Sequence, residues 1–161
     1  MKISIGNDHA GVDYKNYIIE NLNDTYEIKN HGTNEESSVD YPDFAHPVSS
    51  DIENKNSDLG ILICGSGNGV AMTANKYKNV RAALCWNEGL AVLAKQHNNA
   101  NIVCIPARFI SKEEALLIIE SFIKTGFEGF DNNTSQVDGF LSNVKASTTD
   151  LAKRIKQGLF K

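Results

Sequence analysis

The sequence has no apolar run long enough to cross a bilayer. Its longest clean stretch in the strand-like part, residues 59–64, falls far short of the roughly 18 that a membrane helix needs. It also lacks a cysteine framework, because the three cysteines, Cys64, Cys85 and Cys104, are odd in number and show neither a Cys-x-x-Cys nor a zinc-ribbon spacing. Reduced thiols are expected. No pair among the four histidines stands at a zinc-ligand spacing beside an acid or cysteine, so no metal is implied. Positive charge is short as well. A formal net charge of −4 gives no general attraction for nucleic acid or an anionic membrane, and an anionic ligand needs a local site. The first residues pass straight into a strand pattern and Gly6-Asn7-Asp8-His9, without an apolar segment and small-residue cleavage site, so a cytoplasmic location is expected. Neither an internal repeat nor a low-complexity tract interrupts the chain.

What remains is an ordinary globular composition, 41% hydrophobic and 22% charged over 161 residues, which fits one domain. Short apolar runs alternate with longer amphipathic segments, the pattern of parallel strands joined by crossover helices. Strands are predicted at residues 2–6, 26–30, 59–64, 80–84 and 102–105, mostly aliphatic or β-branched throughout, as buried parallel strands are. Helices are predicted at 12–23, 43–54, 70–76, 88–97 and 112–125, the last opened by a capping box from Ser111 to Glu114. A turn-rich connector over 126–134 then leads to a final helical segment at 137–156. With few large apolar residues, that tail fits packing on a neighbouring subunit and fits a frayed terminus equally.

In an open parallel sheet the ligand crevice lies beyond the carboxyl ends of the strands. That rule selects Asn7, Asp8 and His9, then His31, Cys64 to Asn68, Cys85 to Asn87, and Arg108. His97 to Asn99, at the end of the fourth helix, fall on the far side. The strongest local signal is Ile63-Cys64-Gly65-Ser66-Gly67-Asn68-Gly69-Val70, where a strand runs into a glycine-rich turn and a helix start. Convergent backbone N–H groups in such a turn bind an oxyanion or phosphate, and their positive field favours the thiolate of an adjacent cysteine. The same residues also fit a plain tight turn with Cys64 as a small buried hydrophobe. They fit a dinucleotide loop less well, since Val70 takes the place of the third fingerprint glycine, although Glu88 stands near the distance of a ribose-binding acid.

The other candidates have structural alternatives of their own. Asp8 and His9 are an adjacent acid and base, or a helix cap with a solvated ring. His97-Asn98-Asn99-Ala100-Asn101 gathers a titratable ring and amides able to hold sugar hydroxyls, or else forms a helix C-cap. Asp40-Tyr41-Pro42-Asp43 reads as a turn with proline at the first helical position, leaving Tyr41 free to face a ligand. Arg108 suits an anion clamp or the surface. His31 and His46 read as surface or capping residues, Cys85 and Cys104 as core.

Taken together, Asp8-His9-Ala10-Gly11, Asp40 to Ala45, Cys64-Gly65-Ser66-Gly67, Ala74-Asn75-Lys76, Arg81-Ala82-Ala83-Leu84 and His97 to Asn101 make the chain resemble the ribose-5-phosphate isomerase B family and its galactose-6-phosphate isomerase relatives. The motifs run in order over about residues 1–125, roughly three quarters of the chain. The resemblance implies a three-layer α/β/α sandwich around a five-stranded parallel Rossmann-like sheet with a C-terminal helical tail. It also implies a homodimer or dimer of dimers with shared active sites, no cofactor, and interconversion of an aldose phosphate with its ketose through an enediolate. Under it Cys64 is the base moving a proton between C1 and C2. The backbone N–H groups of Gly65, Ser66, Gly67, Asn68 and Gly69 form the anion hole. His97 opens the ring with Ser66 and Tyr41 near the ring oxygen, Asp8 and Asn98 hold hydroxyls, and His9 and Arg108 face the phosphate.

Two departures stand out. Relatives without the cysteine place a glutamate where Val70 stands here, so Cys64 has no understudy. Relatives also carry tail arginines where this chain has Glu128-Gly129-Phe130-Asp131-Asn132-Asn133-Thr134-Ser135-Gln136-Val137, without one. Either His9, Arg108 and a lysine such as Lys145 hold the phosphate, or the substrate is an allose, galactose or tetrose phosphate. A sugar-phosphate binder without catalysis and a nucleotide-binding module are the remaining alternatives.

Overall fold

A computed structural model describes residues 1–129 of the protein. The predicted helix at 137–156, with Asp131, Asn132, Gln136 and Lys145, lies outside the described residues. Residues Met1–Phe127 form one compact unit. Its strands are β1 (Lys2–Asn7), β2 (Glu27–Asn30), β3 (Leu59–Cys64), β4 (Ala82–Leu84) and β5 (Ile102–Pro106). Its helices are α1 (Val12–Leu22), α2 (Pro42–Glu53), α3 (Asn68–Ala74), α4 (Glu88–Gln96) and α5 (Lys112–Lys124). All pairings are parallel, in the order β2-β1-β3-β5-β4. No helix among the described residues is long and apolar enough to cross a membrane.

The pleat of β3 builds the three layers. Leu59, Ile61 and Ile63 pack with Ile18 and Leu22 of α1, Ala91 of α4, and Ile118, Ile119 and Phe122 of α5. Leu62 and Cys64 point the other way, toward Ala45, Val48 and Ile52 of α2 and Val70 and Ala74 of α3. Side-chain caps start the helices where the sequence places them. Asn87 accepts from Leu90 N–H at 2.9 Å at the head of α4, and Ser111 and Glu114 complete the capping box of α5. Pro42 is the first residue of α2.

Two elements start two residues away from expectation. β4 begins at Ala82 rather than residue 80, because Val80 N–H closes a turn onto Tyr77 O and Arg81 N–H donates to the Asn101 side chain at 2.8 Å. α3 begins at Asn68 rather than residue 70, immediately after the left-handed Gly67. The edge strands β2 and β4, four and three residues long, are the shortest of the five. The outer side of β4 is met by the Asn75 amide, which accepts from Ala82 N–H and donates to Ala82 O, both at 2.9 Å.

His31, expected at the surface or in a cap, belongs instead to a polar cluster around the buried Asp51. Asp51 accepts from Ser4 Oγ at 2.8 Å and Lys29 Nζ at 2.9 Å, and its other contact is His31 Nε2 at 2.6 Å. Burial pushes the Asp51 carboxyl up, but the hydrogen bonds from Lys29, His31 and Ser4 and the charge of His31 outweigh it and hold the pKa well below the usual carboxylate range. A depressed folded pKa contributes stability that is present above the unfolded value, about 3.9, and is lost as pH falls through the folded one. Thermal melts of wild type and Asp51→Asn are therefore expected to differ by on the order of 2 kcal/mol near neutral pH and to begin drawing together only as pH falls below about 4. Parallel curves over that range would remove Asp51 from the acid response.

Candidate active site

The sheet changes direction at β1. The chain passes from β1 outward to β2, then returns to β3 on the other side, so the crevice opens beyond the carboxyl ends of these two central strands. Asp8 N–H donates to Ile63 O at 3.1 Å and ties the two ends together. There a cleft of about 330 Å³ is lined by Asp8, His9, Tyr41, Cys64, Gly65, Ser66, Gly69, Arg108 and Phe109.

Cys64 ends β3 on the α2–α3 side, 4% exposed, at the base of the cleft. Its Sγ accepts a hydrogen bond from Gly67 N–H at 3.1 Å, a donor aimed at the sulfur rather than an acceptor for its proton. The other two cysteines differ in kind. Burial pushes the Cys85 thiol up to about 12, and burial together with the neighbouring Cys85 and Cys64 holds Cys104 well above its ordinary value. Neither supplies a thiolate near neutral pH, which agrees with their reading as core residues.

The glycines of the loop serve different ends. Gly67 has φ +72, and a Cβ there would stand 2.3 Å from Leu84 Cδ1, so this turn excludes a side chain on both counts. Gly65 and Gly69 make room. A Cβ at Gly65 would lie 3.1 Å from Arg108 Nε, and one at Gly69 would lie 2.7 Å from the Tyr41 ring, so both side chains rest directly on the loop. Asn68 N–H donates to Ser66 Oγ at 3.3 Å. Two of the five N–H groups expected to form an anion hole, those of Gly67 and Asn68, therefore have local partners.

Asp8 is buried, and one of its oxygens accepts from Ala10 N–H at 2.9 Å, the capping role weighed from sequence. His9 Nδ1 accepts from Val39 N–H at 3.2 Å, which puts the proton of the neutral ring on Nε2 and makes that nitrogen a donor. Phe109, 73% exposed at the rim, was not anticipated; its only signal was a large apolar side chain beside Arg108 at a strand end. Among the described residues no group of three or more His, Cys, Asp or Glu side chains is placed to hold a metal.

His97 and Asn98 are not in this cleft. α4 runs back to the amino-terminal end of the sheet, where exposed His97 caps it, and Asn99 takes a left-handed turn at φ +48 before β5 begins. Asn98 lines a separate cleft of about 400 Å³ with Asn75 and Arg81, and Arg81 Nε donates to Asn98 O. β5 joins the two ends, with Ile102 beside Gly60 and Pro106 beside Cys64, a separation of roughly 13 Å at about 3.3 Å per residue.

Comparison with known proteins matches residues 3–139 to the Ribose/Galactose Isomerase family. A probable ribose-5-phosphate isomerase B of Mycoplasma genitalium is 45% identical over 132 residues, 80% of this chain and 87% of that protein. The ribose-5-phosphate isomerase B of Escherichia coli K12 is 34% identical over 129 residues, 80% of this chain and 87% of that protein. Among solved structures, a ribose 5-phosphate isomerase of Thermotoga maritima superimposes with a TM-score of 0.77 at 44% identity, covering 80% of this chain and 89% of its own. The Mycoplasma genitalium ribose-5-phosphate isomerase B with bound ribulose-5-phosphate gives 0.79 at 41% identity, covering 89% and 96%.

Proposed function

The chain belongs to the ribose/galactose isomerase family, and from that membership we propose that it interconverts ribose 5-phosphate and ribulose 5-phosphate through a cis-enediolate. The observation that carries the reading is the cleft itself, with a cysteine at its base and a backbone N–H aimed at the sulfur. Removing a proton beside a carbonyl creates an oxyanion, which fixed N–H donors stabilise most strongly where water is excluded. In this proposal Cys64 takes the proton from C2 and returns it to C1, or the reverse. The N–H groups of Gly65, Ser66 and Gly69 face the developing charge, joined by those of Gly67 and Asn68 as their local bonds are shared with it. His9 Nε2–H and the Arg108 guanidinium hold the phosphate, while Asp8 and Tyr41 contact the sugar. The Tyr41 ring against Gly69 supports its placement.

Ring opening needs a second acid–base group, assigned here to His97 with Asn98 on a hydroxyl. Both stand at the opposite end of the sheet from Cys64, so they are proposed to enter the cleft of a second copy, in a cytoplasmic homodimer whose sites are shared. The isomerase domain is proposed to span residues 1–161. A different sugar phosphate is the second reading, favoured by the lack of arginine from residue 128 to 137. A coupled assay with ribose 5-phosphate, allose 6-phosphate, galactose 6-phosphate and tetrose phosphates separates the two. Turnover of none of them, with binding retained, would leave a sugar-phosphate binder; thermal stabilisation by NAD or ATP alone would point to a nucleotide module.

A further inference from the structure

Lys15 is a completely buried charged side chain, one of three buried charges among the described residues with Asp8 and Asp51, and the proposed chemistry makes no use of it. It sits on α1, and its ammonium donates to Thr33 O at 2.8 Å and to Asn34 Oδ1. Among the described residues no ion pair involves it; its acceptors are neutral oxygens. Burial lowers its pKa, as expected for an ammonium taken out of water. A buried ammonium with no counterion is costly, and an apolar side chain of similar length commonly serves a fold as well or better. The value of this lysine is then to be sought in what it holds.

It holds the start of a strap. Thr33 O also accepts from Asn7 Nδ2 at 3.2 Å, so two buried side chains, one from the end of β1 and one from α1, converge on a single carbonyl. Residues 34–38 are exposed, and the strap next meets the body where Val39 N–H donates to His9 Nδ1; two residues later Tyr41 lies over Gly69. Thr33 is thus the inward anchor preceding Val39, which bonds to His9, and Tyr41, which lines the cleft. We propose that Lys15 is a positioning residue for the phosphate end of the site: by fixing the Thr33 carbonyl it sets the strap that keeps His9 in its Nε2–H tautomer and lays Tyr41 on the glycine loop. This rests on the reading of His9 as a phosphate contact.

The test compares full-length wild type with Lys15→Met, which keeps the alkyl stem and leaves Thr33 O its bond from Asn7. Melting temperature is expected to change little. The dissociation constant for inorganic phosphate and the KM for ribose 5-phosphate are each expected to rise about tenfold, as small displacements of binding groups do. Alkylation of Cys64 by iodoacetamide, which reads the other end of the cleft, stays within about twofold on the same reasoning. Nitrogen-15 spectra of the His9 ring should pass from a single Nε2–H tautomer to a mixture. Unchanged phosphate affinity with an unchanged His9 spectrum would overturn the proposal. Should Lys15→Met not fold, Asn34→Ala removes the exposed acceptor alone and is expected to shift the His9 ring signals the same way by a smaller amount; an unshifted spectrum there counts against the proposal. A wild type that converts no sugar phosphate would defeat the isomerase reading while leaving the His9 comparison intact.

Discussion

Replacing Cys64 by alanine is expected to lower kcat for ribose 5-phosphate by about 10³-fold, the usual worth of a positioned proton-transfer group. The reason for so large a loss lies in what surrounds the sulfur. Val70, where a carboxylate would otherwise take over, is fully buried and cannot accept a proton. Asp8, the acid that lines the same cleft, uses one oxygen to cap the turn after β1. The substitution removes one sulfur atom, so the cost in stability should be only about 1 kcal/mol, and phosphate affinity should stay near wild type. Cys64→Ser, which preserves an acceptor for Gly67 N–H but holds its proton far more tightly, is expected to be nearly as inactive. A Cys64→Ala protein retaining a tenth or more of wild-type turnover would show that the base is another group.

The second large effect is a recovery. His97→Asn and Cys64→Ala are each expected to be nearly inactive alone, yet mixing the two after reversible dissociation should restore about a quarter of wild-type activity. In the proposed homodimer with shared sites, half the reassembled pairs are mixed, and each mixed pair has one of its two symmetric sites intact. The expectation follows from the length of β5, which keeps His97 and Cys64 of one chain at opposite ends of the sheet. If mass spectrometry shows mixed dimers but activity does not return, His97 and Cys64 do not meet across subunits.

Apolar runs such as residues 59–64 and 102–105 made the strands legible, because a buried parallel strand is apolar on both faces. Val80 misled for the same reason: apolarity reports burial, and Val80 is buried from within a turn, packed with α3. The cleft was legible because chain order alone places Asp8, Cys64 and Arg108 at strand ends. His97 and Asn98 were placed at the far end by the same rule, and the structure keeps them there. Lys15 and the Asp51 cluster were invisible, since a lysine in an amphipathic helix reads as solvated and a single aspartate carries no partner in its own spacing. Only folding brings Lys15 against Thr33, and Asp51 against Ser4, Lys29 and His31.

The two short edge strands bear on how copies of this chain can associate. An exposed edge is a template on which another strand can add, and proteins that persist in solution shorten it, charge it or occupy it. Here β2 is four residues long and carries Glu27 and Lys29, with Lys2 Nζ reaching across to Glu27 at 3.0 Å, while β4 has three residues and an asparagine amide lying along it like a false neighbour. Growth of a continuous intermolecular sheet is thereby discouraged at both margins. Open-ended fibre growth by strand addition is the form of association that this fold opposes most directly.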